Sequence, residues 1–291
     1  MKPNVAIIGV GLIGGSFGMA LKKRGLAGTV TGIGRNPERL QKAVDLGAID
    51  SWTTDVTSGV KDADLVYVST PVGLELEFIQ KAAQFAKPGC IITDAGSTKT
   101  HICKGADSLG ISFVGGHPMA GSDAAGVEAA EPDLFVNAAY VLTPTETTNP
   151  NALATMKNLV ESIGSRVVIL DPETHDRCAA IISHLPHLMA AALVSLAQKQ
   201  SIKNPQILDL IAGSFRDMTR VAGSPPNLWR DICLTNVVGI REAAEDFNRV
   251  LAEGLAAVES SDAEALEDWF MNAKQIRDTL FPTEKTEDRR P

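Results

Sequence analysis

Val5-Ala6-Ile7-Ile8-Gly9-Val10-Gly11-Leu12-Ile13-Gly14 decides the fold of this 291-residue chain. Its first four residues are an unbroken apolar run, as in a strand covered on both faces. G-x-G-x-x-G follows at once, and a helical pattern then runs to Arg24. Between a strand and a helix, those glycines permit a tight turn and a pyrophosphate resting on the helix N-terminus. The stretch predicts a dinucleotide loop made by Gly9, Gly11, Leu12, Ile13 and Gly14, against the plainer reading of a Gly-rich turn in some other α/β protein.

Outward from there, strand and helix patterns alternate. The second strand, Thr29 to Ile33, ends in Gly34-Arg35-Asn36. An acidic residue at that strand end would bind the ribose 2′-hydroxyl of NAD. Arg35 stands there instead, a planar cation suited to a 2′-phosphate, so NADP is expected. NAD stays possible if Arg35 merely stacks on adenine.

Leu65 to Ser69 reads as a strand ending in Ser69-Thr70-Pro71, followed by a helix from about Leu74 to Ala86. Cys90 to Thr93 is a strand leading into Asp94-Ala95-Gly96-Ser97-Thr98-Lys99, and Ile111 to Val114 leads into Gly115-Gly116-His117-Pro118-Met119-Ala120-Gly121-Ser122. Such alternation implies a doubly wound, Rossmann-type parallel sheet that binds ligands at the carboxyl ends of its strands. Ser69, Thr70 and Pro71 then belong with the cofactor. His117 is read as lying in a tight loop whose glycines admit a substrate, with an imidazole that titrates near neutral pH. Ser97 is either a helix N-cap or a hydroxyl that orients His117.

A strand at Ala139 to Leu142, a helix at Ala152 to Ile163 and a strand at Arg166 to Leu170 extend the sheet. The dinucleotide-binding domain is expected to span residues 1–171, closing at Asp171-Pro172-Glu173-Thr174. Residues 172–282 read as an all-helical substrate and dimerisation domain. Asp176 is expected to cap a helix carrying Ser183-His184-Leu185-Pro186-His187, and Pro186 to kink it. His184 and His187 share a face, but no spacing fixes a set of metal ligands, and no metal is expected. Arg216, Arg220, Trp229 and Arg230, around the turn Ser224-Pro225-Pro226, suit a planar or carboxylated small molecule, with capping and surface salt bridges as the plainer role for Arg216 and Arg230. One long helix from Asp231 to about Glu259 points to a homodimer core. The charged tail, 283–291, is expected to be flexible.

Composition narrows the function classes. A net charge of −8 argues against nucleic acid as a partner. The four cysteines, Cys90, Cys103, Cys178 and Cys233, are scattered without C-x-x-C, which fits a reducing, cytoplasmic setting. The apolar run Val5 to Leu21 is full of glycines, lacks a clear small-x-small cleavage site and ends in Lys22-Lys23-Arg24, so it reads as structure rather than leader. The longest later uncharged stretch, Leu188 to Ala197, is too short to span a bilayer, and no membrane partner is expected.

In that order and spacing, the glycine loop with Gly15-Ser16, the Asp94–Lys99 and Gly116–Ser122 segments, His175-Asp176, Ser183–His187 and Phe215-Arg216-Asp217-Met218-Thr219-Arg220 resemble the prephenate/arogenate dehydrogenase family of tyrosine biosynthesis, from Gly9 to Asp231. The resemblance implies oxidative decarboxylation of a cyclohexadienol acid with hydride transfer to NAD(P). It implies His117 as general base with Ser97 aligning it, Arg220 on the ring carboxylate, and His187, His184, Trp229 and Ser122 around the substrate. His175 and Asp176 are read as interdomain organisers. His187 leans slightly to prephenate over arogenate. No added regulatory domain is seen, so any inhibition by tyrosine is expected to be competitive. The rivals are another two-domain NADP-dependent reductase, of the β-hydroxyacid dehydrogenase or imine reductase type, and a non-catalytic NADP-binding sensor.

Overall fold

A computed structural model describes residues 2–121 and 124–282. Its strands are β1 Val5–Ile8, β2 Val30–Ile33, β3 Ser51–Thr53, β4 Leu65–Val68, β5 Ile91–Asp94, β6 Ser112–Pro118, β7 Ala139–Thr143 and β8 Arg166–Ile169. They form one sheet in the order β3-β2-β1-β4-β5-β6-β7-β8. The sheet is parallel except where β7 runs antiparallel to β6. The order reverses between β1 and β4, the switch point where a doubly wound sheet opens a ligand crevice.

Alternation along the central strands explains the two cores. Val5 and Ile7 of β1, with Leu65 and Tyr67 of β4, face one side. Ala6, Ile8, Val66 and Val68 face the other. Helices cover both faces: α1 (Leu12–Lys23), α2 (Pro37–Asp45), α3 (Val56–Val60), α4 (Val72–Phe85), α5 (Thr100–Asp107) and α6 (Pro150–Ser162). Phe17 of α1 stacks on Tyr67, ring centroids 3.9 Å apart, and locks that helix to the sheet.

From Pro172 every described element is helical. α7 (Pro172–Ala179), a π-helical turn at Ala180–His184 and α8 (Leu185–Ser201) form one continuous rod. Then come α9 (Gln206–Asp209), α10 (Gly213–Thr219), a 3₁₀ turn at Arg220–Gly223, α11 (Pro226–Thr235), α12 (Val237–Glu259) and α13 (Ala263–Leu280). The chain divides into two compact units, Met1–Ile240 and Arg241–Pro291. In the second, Asp262 caps α13 through the Ala265 N–H, and Gly254 admits the ring of Trp269.

Several expectations change. β3 carries no clear pattern because it is three exposed or half-buried residues at the sheet edge. The single helix expected from Asp231 is two, broken at Asn236 (φ −130°, ψ 45°), whose amide is drawn into the interior. α7 is capped by Asp171, through Thr174 N–H, and not by Asp176. Proline at 186 follows a π-helical turn, with the rod continuing through it.

Within the rod Pro172–Ser201 an 18-residue stretch is, by length and composition, apolar enough to cross a membrane, with a mean hydropathy of 1.6. That overturns the expectation that no stretch is long enough, because α7 and α8 join into one helix. Its buried His175, Asp176 and His184 are hydrogen-bonded to neighbouring elements, which packs the rod onto the protein. Ile181, Ile182 and Leu196 stay more than half exposed. The tail 283–291 lies outside the described residues.

Candidate active site

The glycine loop is shaped by close approach. Gly9 sits at φ +94°, and a Cβ there would come within 2.6 Å of the Ser69 carbonyl oxygen. A Cβ on Gly14 would collide with the Gly9 carbonyl and the Ser69 hydroxyl. Ser69 donates from Oγ to the Gly9 carbonyl at 2.8 Å, so it braces the loop. No side chain caps α1, and the space over Gly11 is open. Free helix N–H groups beside open space suit a phosphate, and the buried, unpartnered Oγ1 of Thr70 offers one more polar group nearby. These residues therefore fit a dinucleotide. Pro71 starts α4 at the same strand end, and Arg35 is exposed just beyond β2.

His117 departs from expectation. β6 continues through Pro118, so His117 is a strand residue opposite Val141 of β7, not part of a loop. Gly115 and Gly116 serve packing: a Cβ on Gly115 would strike Thr143, and one on Gly116 would come within 2.6 Å of the Asp94 carbonyl. The Gly116 N–H donates to Asp94 Oδ1 at 3.0 Å, which fixes the strand to the end of β5.

The partner of His117 is His175. His117 Nδ1 lies 2.8 Å from His175 Nε2, and His175 Nδ1 lies 2.8 Å from Asp176 Oδ1. Asp176 also accepts the Lys99 N–H at 2.7 Å and the Thr100 N–H at 2.9 Å, thereby capping α5. Burial opposes its charge, but hydrogen bonds from His175, Thr100 and Lys99 outweigh that and hold its carboxyl below the usual range. An ionised Asp176 accepts only, so His175 presents its Nδ1–H to it, and as a neutral ring it accepts on Nε2. His117 must then donate from Nδ1, leaving its Nε2 as the free base. Burial, then His175, Lys99 and His184, push the His117 pKa well below normal, so the ring is neutral.

Ser97 is half-buried in the loop between β5 and α5 and makes no hydrogen bond to His117. Nor does it cap α5, whose N-terminal N–H groups go to Asp176.

Beneath this loop lies a fully buried cluster that the sequence reading missed. Lys99 Nζ pairs with Asp94 Oδ2, which also accepts the Gly96 N–H at 2.9 Å. Glu75 of α4 is 1% exposed beside them. Burial, then Asp94, drives its carboxyl well above the usual range, so it stays protonated. Its signal was legible: an acid at buried-face spacing among Val72, Ile79 and Ala82.

On the helical side, His184 is 1% exposed and accepts from Asn236 Nδ2 at 3.1 Å, the same amide group donating to the Asp176 carbonyl at 2.7 Å. Burial lowers its pKa to about 4. His187 donates from Nδ1 to the Ser183 carbonyl at 2.9 Å and stacks on Trp229, ring centroids 3.5 Å apart. Burial lowers its pKa too, with Arg220 near enough to add to the effect. Arg230 is ion-paired with Asp231 at 2.7 Å. Ser122 lies outside the described residues. Among those described, no group of His, Cys, Asp and Glu is arranged to hold a metal.

The sequence matches two family models: the prephenate dehydrogenase nucleotide-binding domain over residues 17–169 and the prephenate dehydrogenase dimerization domain over 171–272. It is 40% identical over 284 residues to a prephenate dehydrogenase of Bacillus subtilis, covering 96% of this chain and 76% of that one. The fold is similar to prephenate dehydrogenase from A. aeolicus in complex with hydroxyphenyl propionate and NAD+ (TM-score 0.91, 35% identity, 96% of this chain and 98% of that one). It is also similar to Synechocystis arogenate dehydrogenase (TM-score 0.85, 32% identity, 95% and 99% covered).

Proposed function

Because this chain belongs to the prephenate dehydrogenase family, we propose that it oxidatively decarboxylates prephenate, arogenate or both, with His117 as general base. The observation that carries the reading is the 2.8 Å contact of His117 Nδ1 with His175 Nε2, which leaves the Nε2 of His117 as the base at the carboxyl end of β6, on the same sheet edge as the dinucleotide loop. The bound nicotinamide supplies the hydride acceptor. His117 Nε2 takes the ring hydroxyl proton as the carbon is oxidised, work of a kind that contributes about 10²–10⁴-fold. Loss of CO2 returns electrons to the ring, and the same nitrogen gives the proton back to the phenolic oxygen. Ser97 aligns the hydroxyl.

The cofactor rests on Gly9, Gly11, Leu12, Ile13 and Gly14, with Ser69 bracing the loop and Thr70 and Pro71 at its floor. We assign NADP through Arg35, an exposed guanidinium just past β2. The division of labour follows the sequence: residues 1–171 hold the cofactor, and 172–282 hold substrate and form the homodimer. Exposed Ile181, Ile182, Leu196 and Met218 give the helical part an apolar surface for a second copy. The reducing cytoplasm suits its free cysteines.

Arg220 positions the ring carboxylate, and His187, stacked on Trp229, meets the side chain. His187 already donates from Nδ1, so its neutral ring offers Nε2 as an acceptor. That suits the ammonium of arogenate, whereas protonation would offer prephenate's keto acid a donor; both substrates are proposed on this ground. His184 is a positioning residue under the site. Turnover of either substrate, followed by absorbance of the reduced nicotinamide, tests the reading.

A further inference from the structure

We propose that His175 is a proton relay for His117: as His117 Nε2 takes the substrate hydroxyl proton, the His117 Nδ1 proton passes to His175, so that the positive charge is held, for the interval between oxidation and aromatisation, on the His175 imidazole beside Asp176. The inference rests on the function proposed above and adds a step to it.

The geometry is a three-member chain with one direction. Asp176 Oδ1, His175 and His117 are joined by two contacts of 2.8 Å, with the donor in each case the ring farther along toward the substrate. The centroids of the two rings are 5.1 Å apart and the rings are inclined at 66°. When His117 Nε2 gains the hydroxyl proton, the His117 Nδ1 proton is free to pass to His175 Nε2. The N–H bond at Nδ1 of His117 breaks, a new N–H bond forms at Nε2 of His175, and His117 returns to a neutral ring with its proton now on Nε2. His175 becomes an imidazolium with Asp176 against its Nδ1–H. No electrons are gained or lost by either ring. When CO2 leaves and the ring oxygen becomes basic, both transfers reverse: Nε2 of His117 protonates the oxygen and Nδ1 recovers its proton from His175.

The surroundings explain why the charge moves. His117 is faced by Lys99 from the loop before α5, by His184 from the π-helical turn and by His175 from α7, and all of these disfavour a cation on it. Burial disfavours it further. His175 is 1% exposed but has Asp176 in contact, and Asp176 is held ionised by hydrogen bonds from two backbone N–H groups of the α5 terminus as well as from His175. A cation placed one ring deeper is therefore paired, where on His117 it is not. Ser97 offers no such outlet, since it is not hydrogen-bonded to His117.

His175→Gln separates relay from orientation. A glutamine oxygen can accept the His117 Nδ1–H and hold the ring, but it cannot take the proton. The expected result is a kcat at least about 10²-fold lower, equal to that of His175→Ala, with KM and cofactor affinity within about twofold of wild type. Activity of His175→Gln within a few-fold of wild type would show that orientation suffices and would overturn the relay. The native enzyme supplies a reading that needs no variant: nitrogen-15 spectra of its imidazoles, with no substrate bound. Protons on Nδ1 of both His117 and His175 are expected; an Nε2-protonated His117 would overturn the proposal. An error in the functional reading would show differently, as no wild-type turnover of either substrate.

Discussion

Asp176 accepts the backbone N–H of Thr100 at 2.9 Å, from 76 positions away along the chain. One carboxylate thereby caps α5 and, with its other oxygen, anchors His175. Asp176→Asn presents an amide N–H to a donor that has no other acceptor. The expected cost is about 1–3 kcal/mol of stability, together with a fall in kcat. Denaturant titration beside steady-state kinetics checks both; an unchanged midpoint would show that the cap is dispensable.

His117→Asn removes the free base while keeping a polar side chain in β6. The expected kcat is lower by about 10²–10⁴-fold, with dinucleotide affinity intact, as read by fluorescence titration. A kcat near wild type would remove His117 from the chemistry.

Arg35 is exposed, so replacing it perturbs little else. Arg35→Ala should weaken NADP by about tenfold or more, on the order of 1.4 kcal/mol, and leave NAD nearly unchanged. Equal losses for both cofactors would take the 2′-phosphate role away from this residue.

His184 gives the fold a pH signature. Its pKa falls from 6.5 to about 4, chiefly by burial. Below pH 6.5 the unfolded chain takes up a proton that the folded chain refuses until about pH 4. Unfolding is then favoured as pH drops through that window, by roughly 3 kcal/mol in total, and the contribution is flat above pH 7. His184→Gln, which still accepts from Asn236, should flatten the slope of stability against pH between 4 and 6.5.

The sheet was largely legible in the sequence because its signals are local. An apolar run before G-x-G-x-x-G is a strand feeding a helix, and the repeated alternation gives the parallel sheet. The site was legible as a residue inventory, not as a wiring. His117 was expected in a loop because glycines precede it; their reason is the bulk of Thr143 and Asp94 pressed against them, which no local pattern encodes. The bond from His117 to His175 spans 58 positions and that from Asn236 to Asp176 spans 60. The break at Asn236 has the same origin, since a helical pattern continues on both sides and only the buried acceptors of Asp176 and His184 turn that amide inward. Tertiary hydrogen bonds overrode a sound local reading.

The most direct measurement is a four-way assay of the wild-type protein: prephenate or arogenate, each with NADP or NAD, followed by absorbance of the reduced nicotinamide with the aromatic product identified. The account predicts turnover of at least one substrate, faster with NADP at limiting cofactor, and release of CO2 in step with reduction. A folded protein that binds NADP yet turns over neither substrate would contradict it.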